Sequence, residues 1–225
     1  MREAYPYLAA GHQRGFSLIE LMVAIVLASL LILGVTQLYS NSAATDRTNS
    51  ALARVQESGR TVLELIRQDA WRAGFEGCIN PLTLIKVGDV TFPDDVVLAK
   101  SDPLGVTLRY ASRESTSTAF PQKDCDNSQL YLHDVTYANC SGDQGGICVS
   151  SNGGTATQLT SDVTISSIRY GLPNQAGTSV NWTDSPATED LNRVTSLQVS
   201  VRATDTKQNI TRDFSSTVQI RNRSQ

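Results

Sequence analysis

Phe16-Ser-Leu-Ile-Glu20-Leu-Met-Val-Ala-Ile25-Val-Leu-Ala-Ser-Leu30-Leu-Ile-Leu-Gly-Val35 is a run of twenty residues with a single charge. Wound as an α-helix at about 1.5 Å per residue, it extends roughly 30 Å, the thickness of a bilayer's hydrocarbon core. It therefore reads as a membrane helix. Arg2 and Arg14 precede it against one acid, Glu3, and this bias puts the N-terminus in the cytoplasm and the rest of the chain outside. A cleaved secretory signal is the competing reading. Its apolar region is shorter and ends at small residues, whereas this run passes straight into Thr36-Gln-Leu-Tyr39. Glu20 is out of place in a plain anchor, since a carboxylate at the middle of a membrane helix costs about 2.5–3.5 kcal/mol. It either sits near the cytoplasmic surface and stays hydrated, or it awaits a positive partner inside an assembly.

Around this segment the chain is of ordinary globular composition. It has 225 residues and 24.3 kDa, with 40% hydrophobic and 18% charged residues, which excludes a disordered chain and a polytopic membrane protein. A net charge of -3 and a pI near 5.4 argue against a nucleic-acid binder, which carries a basic footprint. His12 and His133 are the two histidines, scant material for histidine catalysis or metal binding.

Beyond Val35 the chain turns polar without a helix breaker. Leu52, Val55, Gly59, Val62, Ile66, Ala70 and Ala73 recur every three or four residues, the mark of one buried helical stripe. Arg54, Glu57, Arg60, Glu64, Arg67 and Gln68 lie opposite. Gly74, Gly77 and Asn80-Pro81 are stop signals. The reading is one helix from Phe16 to Phe75, roughly 90 Å long. A coiled coil is the alternative for its second half.

From Leu82 onward, short β-rich runs alternate with Gly, Pro, Asp, Asn and Ser. Strands are predicted at 82–87, 96–98, 106–110, 130–135, 163–170, 194–201 and 210–220. Asp205-Thr-Lys-Gln-Asn209 is a turn joining the last two into a hairpin, while 112–118 and 150–157 read as loops. A long helix followed by an antiparallel sheet is an α+β design.

The letters around Glu20 narrow this further. Gly11-His-Gln-Arg14-Gly15-Phe16-Ser-Leu-Ile-Glu20 resembles the class III leader of type IV pilins and pseudopilins. The resemblance implies a leader ending at Gly15, cut by a prepilin peptidase that also N-methylates the new terminus at Phe16. It also makes Glu20, the fifth mature residue, an assembly residue that neutralises a neighbour's terminal amine. Two groups costly to bury alone become tolerable as a pair in low dielectric. The implied organisation is a leader (1–15), a membrane or filament-core helix (16–36), an amphipathic half packing on the head (37–77) and a β-rich periplasmic head (78–225). Where family members often carry a helix-breaking proline, this chain has Gln37, with Gly34 nearby.

Arg54-Val-Gln-Glu-Ser-Gly-Arg60, Leu63-Glu-Leu-Ile-Arg-Gln-Asp69, Arg72-Ala-Gly-Phe-Glu-Gly-Cys78 and the tail Thr217-Val-Gln-Ile-Arg-Asn-Arg223 look like the minor pilin family called PilW. That resemblance covers the N-terminal helix and the tail and leaves the middle unassigned. It implies a minor pilin, inserted once in the inner membrane with a periplasmic head and then carried into the pilus. Its implied partners are other minor pilins, the major pilin and the peptidase/methyltransferase. The alternatives are a J-type pseudopilin of type II secretion and a membrane-anchored periplasmic adhesin or enzyme.

Cys78, Cys125, Cys140 and Cys148 fall on the external side, where disulfides persist. Four cysteines allow three connectivities. Loop length favours Cys140–Cys148 closing a short glycine-rich loop, which leaves Cys78–Cys125 to tie the helix end to the head. Zinc lacks a C-x-x-C pair, and Asp94-Asp95 and Asp124-Cys-Asp126 lack calcium-loop spacing. No hydrolase or phosphate-loop motif occurs, so neither an enzyme, a metal nor a cofactor is expected.

Overall fold

The computed structural model describes residues 15–78, 84–142, 145–174 and 179–220. The architecture is α+β: one long helix, α1 (Leu18–Arg72), followed by antiparallel sheets. The chain divides into two compact units between Asn49 and Ser50.

In the N-terminal unit no described residue is buried within the chain. Its apolar part is bare helix. In the polar stretch after it, the hydroxyls of Thr36, Thr45 and Thr48 donate to carbonyls one turn back, on Ile32, Asn41 and Ala44, sharing those acceptors with the helix's own N–H groups.

The head begins with the rest of α1. Ala51, Val55, Gly59, Val62, Leu63, Ile66, Asp69 and Ala70 are its buried face, close to the stripe read from the sequence, except that Leu52 lies off it. Gly59 has a packing reason: a β-carbon there would stand 2.5 Å from the ring of Phe214. The helix ends three residues before the expected Phe75. Gly74, at φ 77°, turns the chain so that its N–H donates to Arg109 O and Phe75 O accepts from Ala111 N. The helix exit thus becomes an extra rung on a sheet.

Twelve strands follow among the described residues. β1 (Ile85–Val87) and β2 (Val90–Phe92) form a hairpin. β3 (Val97–Ser101), β4 (Leu104–Ser112), β5 (Ala119–Lys123), β6 (Gln129–Asn139), β7 (Ile147–Ser151) and β8 (Thr157–Thr160) make a sheet in the order β3-β4-β6-β7-β8, with β5 also on β6. β9 (Val163–Pro173), β10 (Val180–Thr183), β11 (Ser196–Asp205) and β12 (Ile210–Gln219) make a second sheet, ordered β10-β9-β11-β12. The hairpin of β11 and β12 pairs ten residues without a slip, Asp205 opposite Ile210, with Asn209 in the left-handed region at φ 52°.

Besides the shared core, the side chain of Asn139 links the two sheets. Asn139 Nδ2 donates to Ile165 O at 3.0 Å, and Ile165 N donates to Asn139 Oδ1 at 2.7 Å, so an amide at the end of β6 imitates a strand partner for β9. The core runs through both sheets, with Ile66, Leu108, Leu130, Ile147, Leu197 and Ile220 among its fully enclosed side chains.

Candidate functional site

The N-terminal site is built by the start of α1. Gly15, Phe16 and Ser17 are not helical, and the first helical bond runs from Leu21 N to Ser17 O. Phe16 is 85% exposed. Glu20 is exposed in the first helical turn, where a carboxylate complements the unpaired N–H groups of the helix N-terminus. The helix starts two residues later than expected, so helical geometry alone does not set the spacing between the Phe16 nitrogen and Glu20. His12 and Arg14 lie outside the described residues.

Above this site, sixteen large apolar side chains between Phe16 and Tyr39 stand exposed, Leu18 at 75% and Leu31 at 71% among them. Burying one such side chain is worth about 1.5–3 kcal/mol, so the array as a whole represents tens of kcal/mol of uncovered apolar surface. A bilayer or a bundle of similar helices would cover it. The segment has the length and composition to cross a membrane.

The head holds the remaining candidates. Cys78 is bridged to Cys125, with Cα atoms 5.2 Å apart, and Cys140 to Cys148 at 4.9 Å. The first bridge ties the helix exit to the turn between β5 and β6, and the second joins the end of β6 to β7. Asp124 lies beside the Cys78–Cys125 sulfurs, but both sulfurs are committed to the bridge and offer no thiolate. Asp124 itself is held by Arg113, whose guanidinium also reaches Asp126. With the Cys125 N–H donating to it and Arg113 beside it, the Asp124 carboxyl stays below the usual range. Asp95 accepts from Thr91 N and lies near Arg109. These acids have protein partners. His133 donates from Nε2 to Glu114 O, 2.9 Å away, and stacks on Tyr110 at 5.5 Å between ring centres, which is a packing role.

Two buried acids were not singled out from sequence. Asp69 is 7% exposed on the inner face of α1. It accepts from Tyr137 Oη at 2.7 Å and more distantly from Tyr110 Oη at 3.5 Å, and it pairs with Arg72, whose guanidinium covers the Tyr110 ring at 4.9 Å. This arrangement anchors the last turn of the helix to β4 and β6. Burial, with the Asp69 carboxylate beside it, pushes the Tyr137 hydroxyl far up. The sequence held a signal for Asp69: it sits between Ile66 and Ala70 in the apolar stripe, where a charge demands a partner. Glu76 is 2% exposed, and among the described residues neither of its oxygens has a hydrogen-bond partner. Desolvation raises its carboxyl to about 7. Nothing in the local sequence marks it.

Comparison with known proteins bears on the N-terminal site. Residues 11–36 match the prokaryotic N-terminal methylation motif. The methylation motif embraces Gly15, Phe16 and Glu20 and points to the type IV pilin and pseudopilin class, whose members are structural subunits. It stops short of residues 54–78, where the PilW resemblance lies. Together with the bare apolar helix, the methylation motif fits membrane anchoring. No curated protein and no solved structure matches the chain.

Proposed function

We propose that the chain is a minor pilin of a type IV pilus, of the PilW kind, held in the inner membrane by α1 with its head in the periplasm until assembly. The reading rests chiefly on the uncovered apolar helix that begins within the methylation motif. Tens of kcal/mol of exposed hydrocarbon on one helix suit a subunit first dissolved in lipid and then packed among other helices. The peptidase would cut after Gly15 and methylate Phe16. Glu20 would then meet the terminal amine of a neighbouring pilin, a pairing that fixes the axial step between subunits. Other minor pilins and the major pilin are the proposed partners, in a complex that primes the pilus and caps its tip.

Mass spectrometry of the protein purified from cells tests the first step. The expected N-terminus is N-methylated Phe16, and a chain that keeps residues 1–15 overturns the reading. Glu20→Ala should leave membrane insertion intact and reduce recovery in sheared pili; normal incorporation removes the register role. Deleting the gene and scoring twitching against exoprotein secretion separates a pilus subunit from a J-type pseudopilin.

A further inference from the structure

A cleft of about 490 Å³ opens in the head between the β3–β4 hairpin, β9 and the segment around 184–191. Lys100, Ser101, Ser166, Ser167, Asp184 and Tyr170 all face it, and among the described residues none of these side chains bonds to another protein group. Asp69, Asp134, Asp205 and Asp213, by contrast, each hold an arginine.

Two features make it a built site. Tyr170 is only 2% exposed, it lines the cleft, and among the described residues its hydroxyl has no hydrogen-bond partner. The second feature is a bulge in β9. The β11 register passes from Ser200 opposite Ser167 to Val201 opposite Ile165, leaving Ser166 without a partner. In a regular strand, neighbours point to opposite faces; the bulge re-aims one of them, and Ser166 and Ser167 both line the cleft. Asn139 clamps Ile165 at the foot of this bulge.

We propose that this cleft binds a neutral saccharide of one or two rings. Its volume lies within the range of small-ligand sites. Hydroxyls that both donate and accept match sugar hydroxyls, and Leu104 and Leu191 supply apolar wall for a sugar's C–H face. Lys100 and Asp184, of opposite sign, leave no net charge to favour an anion or a cation. The proposal stands apart from the pilus reading, because it uses head residues alone.

The test is saturation-transfer NMR on the full chain in sugar-free amphipol. Glucose, galactose and N-acetylglucosamine are the probes at on the order of 10 mM, with L-alanine as a zwitterionic probe. Transfer to at least one sugar is expected. It should fall roughly fivefold in Tyr170→Phe, which deletes one hydrogen bond, and vanish in Ser166→Trp, which fills the cleft from its exposed side. Circular dichroism checks that each variant folds; if Tyr170→Phe does not, Ser166→Trp decides alone. No transfer to any sugar, transfer undiminished in Ser166→Trp, or transfer to alanine only overturns the proposal.

Discussion

Replacing Glu76 by glutamine should remove a pH dependence from the stability of the head. The carboxyl is enclosed, has no hydrogen-bond partner among the described residues, and is raised by desolvation from its ordinary 4.5 to about 7. In the unfolded chain it returns to the ordinary value, so between these limits the native state holds a proton that the unfolded state has released. Stability then falls as pH rises through this window and is flat above it. A gap of that width corresponds to about 3 kcal/mol, or roughly 6–12 °C in Tm for a head of this size. Glutamine cannot ionise. Its amide, equally unpartnered, costs the same at every pH, so the difference between variant and wild type isolates the ionisation. Melting the full chain in amphipol at pH 4.5 and pH 8 should show the two proteins drawing apart toward pH 8, with the glutamine variant gaining. Parallel shifts, with the gap constant within about 1 kcal/mol, would refute the claim that Glu76 is buried without a partner.

Tyr137→Phe should cost about 1–1.5 kcal/mol by removing the short bond to Asp69, read as a lower midpoint in urea. Asp69→Ala should cost about 3–5 kcal/mol, because it leaves Arg72 and two tyrosine hydroxyls without their shared acceptor. The bridges differ in loop length, 47 residues for Cys78–Cys125 against 8 for Cys140–Cys148. Paired Cys→Ser substitutions should therefore cost about 4 and about 2.5 kcal/mol respectively on the chain-entropy account, and thermal melts under non-reducing conditions should rank them in that order.

Legibility in the sequence followed how local each signal was. The helix stripe was readable because apolar spacing reports one buried face directly, and Gly74 marked its end. The hairpin of β11 and β12 was readable because Leu197, Val199 and Val201 alternate with polar residues around a turn. β7 and β8 were missed, and Ser150 and Ser151 were read as loop. Both strands are short and polar at one end, flanked by Gly145-Gly146 and Gly153-Gly154, which read as loop; pairing of β7 to β6 and of β8 to β7 makes them strands. β2, β5 and β10, each of five residues or fewer, exist through their neighbours. Within the candidate site, Gly15, Phe16 and Glu20 were legible because the methylation motif that spans them is a linear string. The cleft beneath Tyr170 was not, since it depends on a bulge and on two sheets meeting, and neither leaves a local trace.

The stitch made by Asn139 carries a chemical liability. One amide must present an oxygen to the Ile165 N–H and a nitrogen to the Ile165 carbonyl. Hydrolysis of that amide to a carboxylate, the ordinary ageing reaction of asparagine, would exchange the nitrogen for a negatively charged oxygen. Attraction toward the carbonyl would become repulsion with almost no change in shape. Loss of a single ammonia would then turn one of the two bonds of the stitch into a repulsion while the shared core still holds the sheets, so the age of the folded head would be written into its stability at one atom.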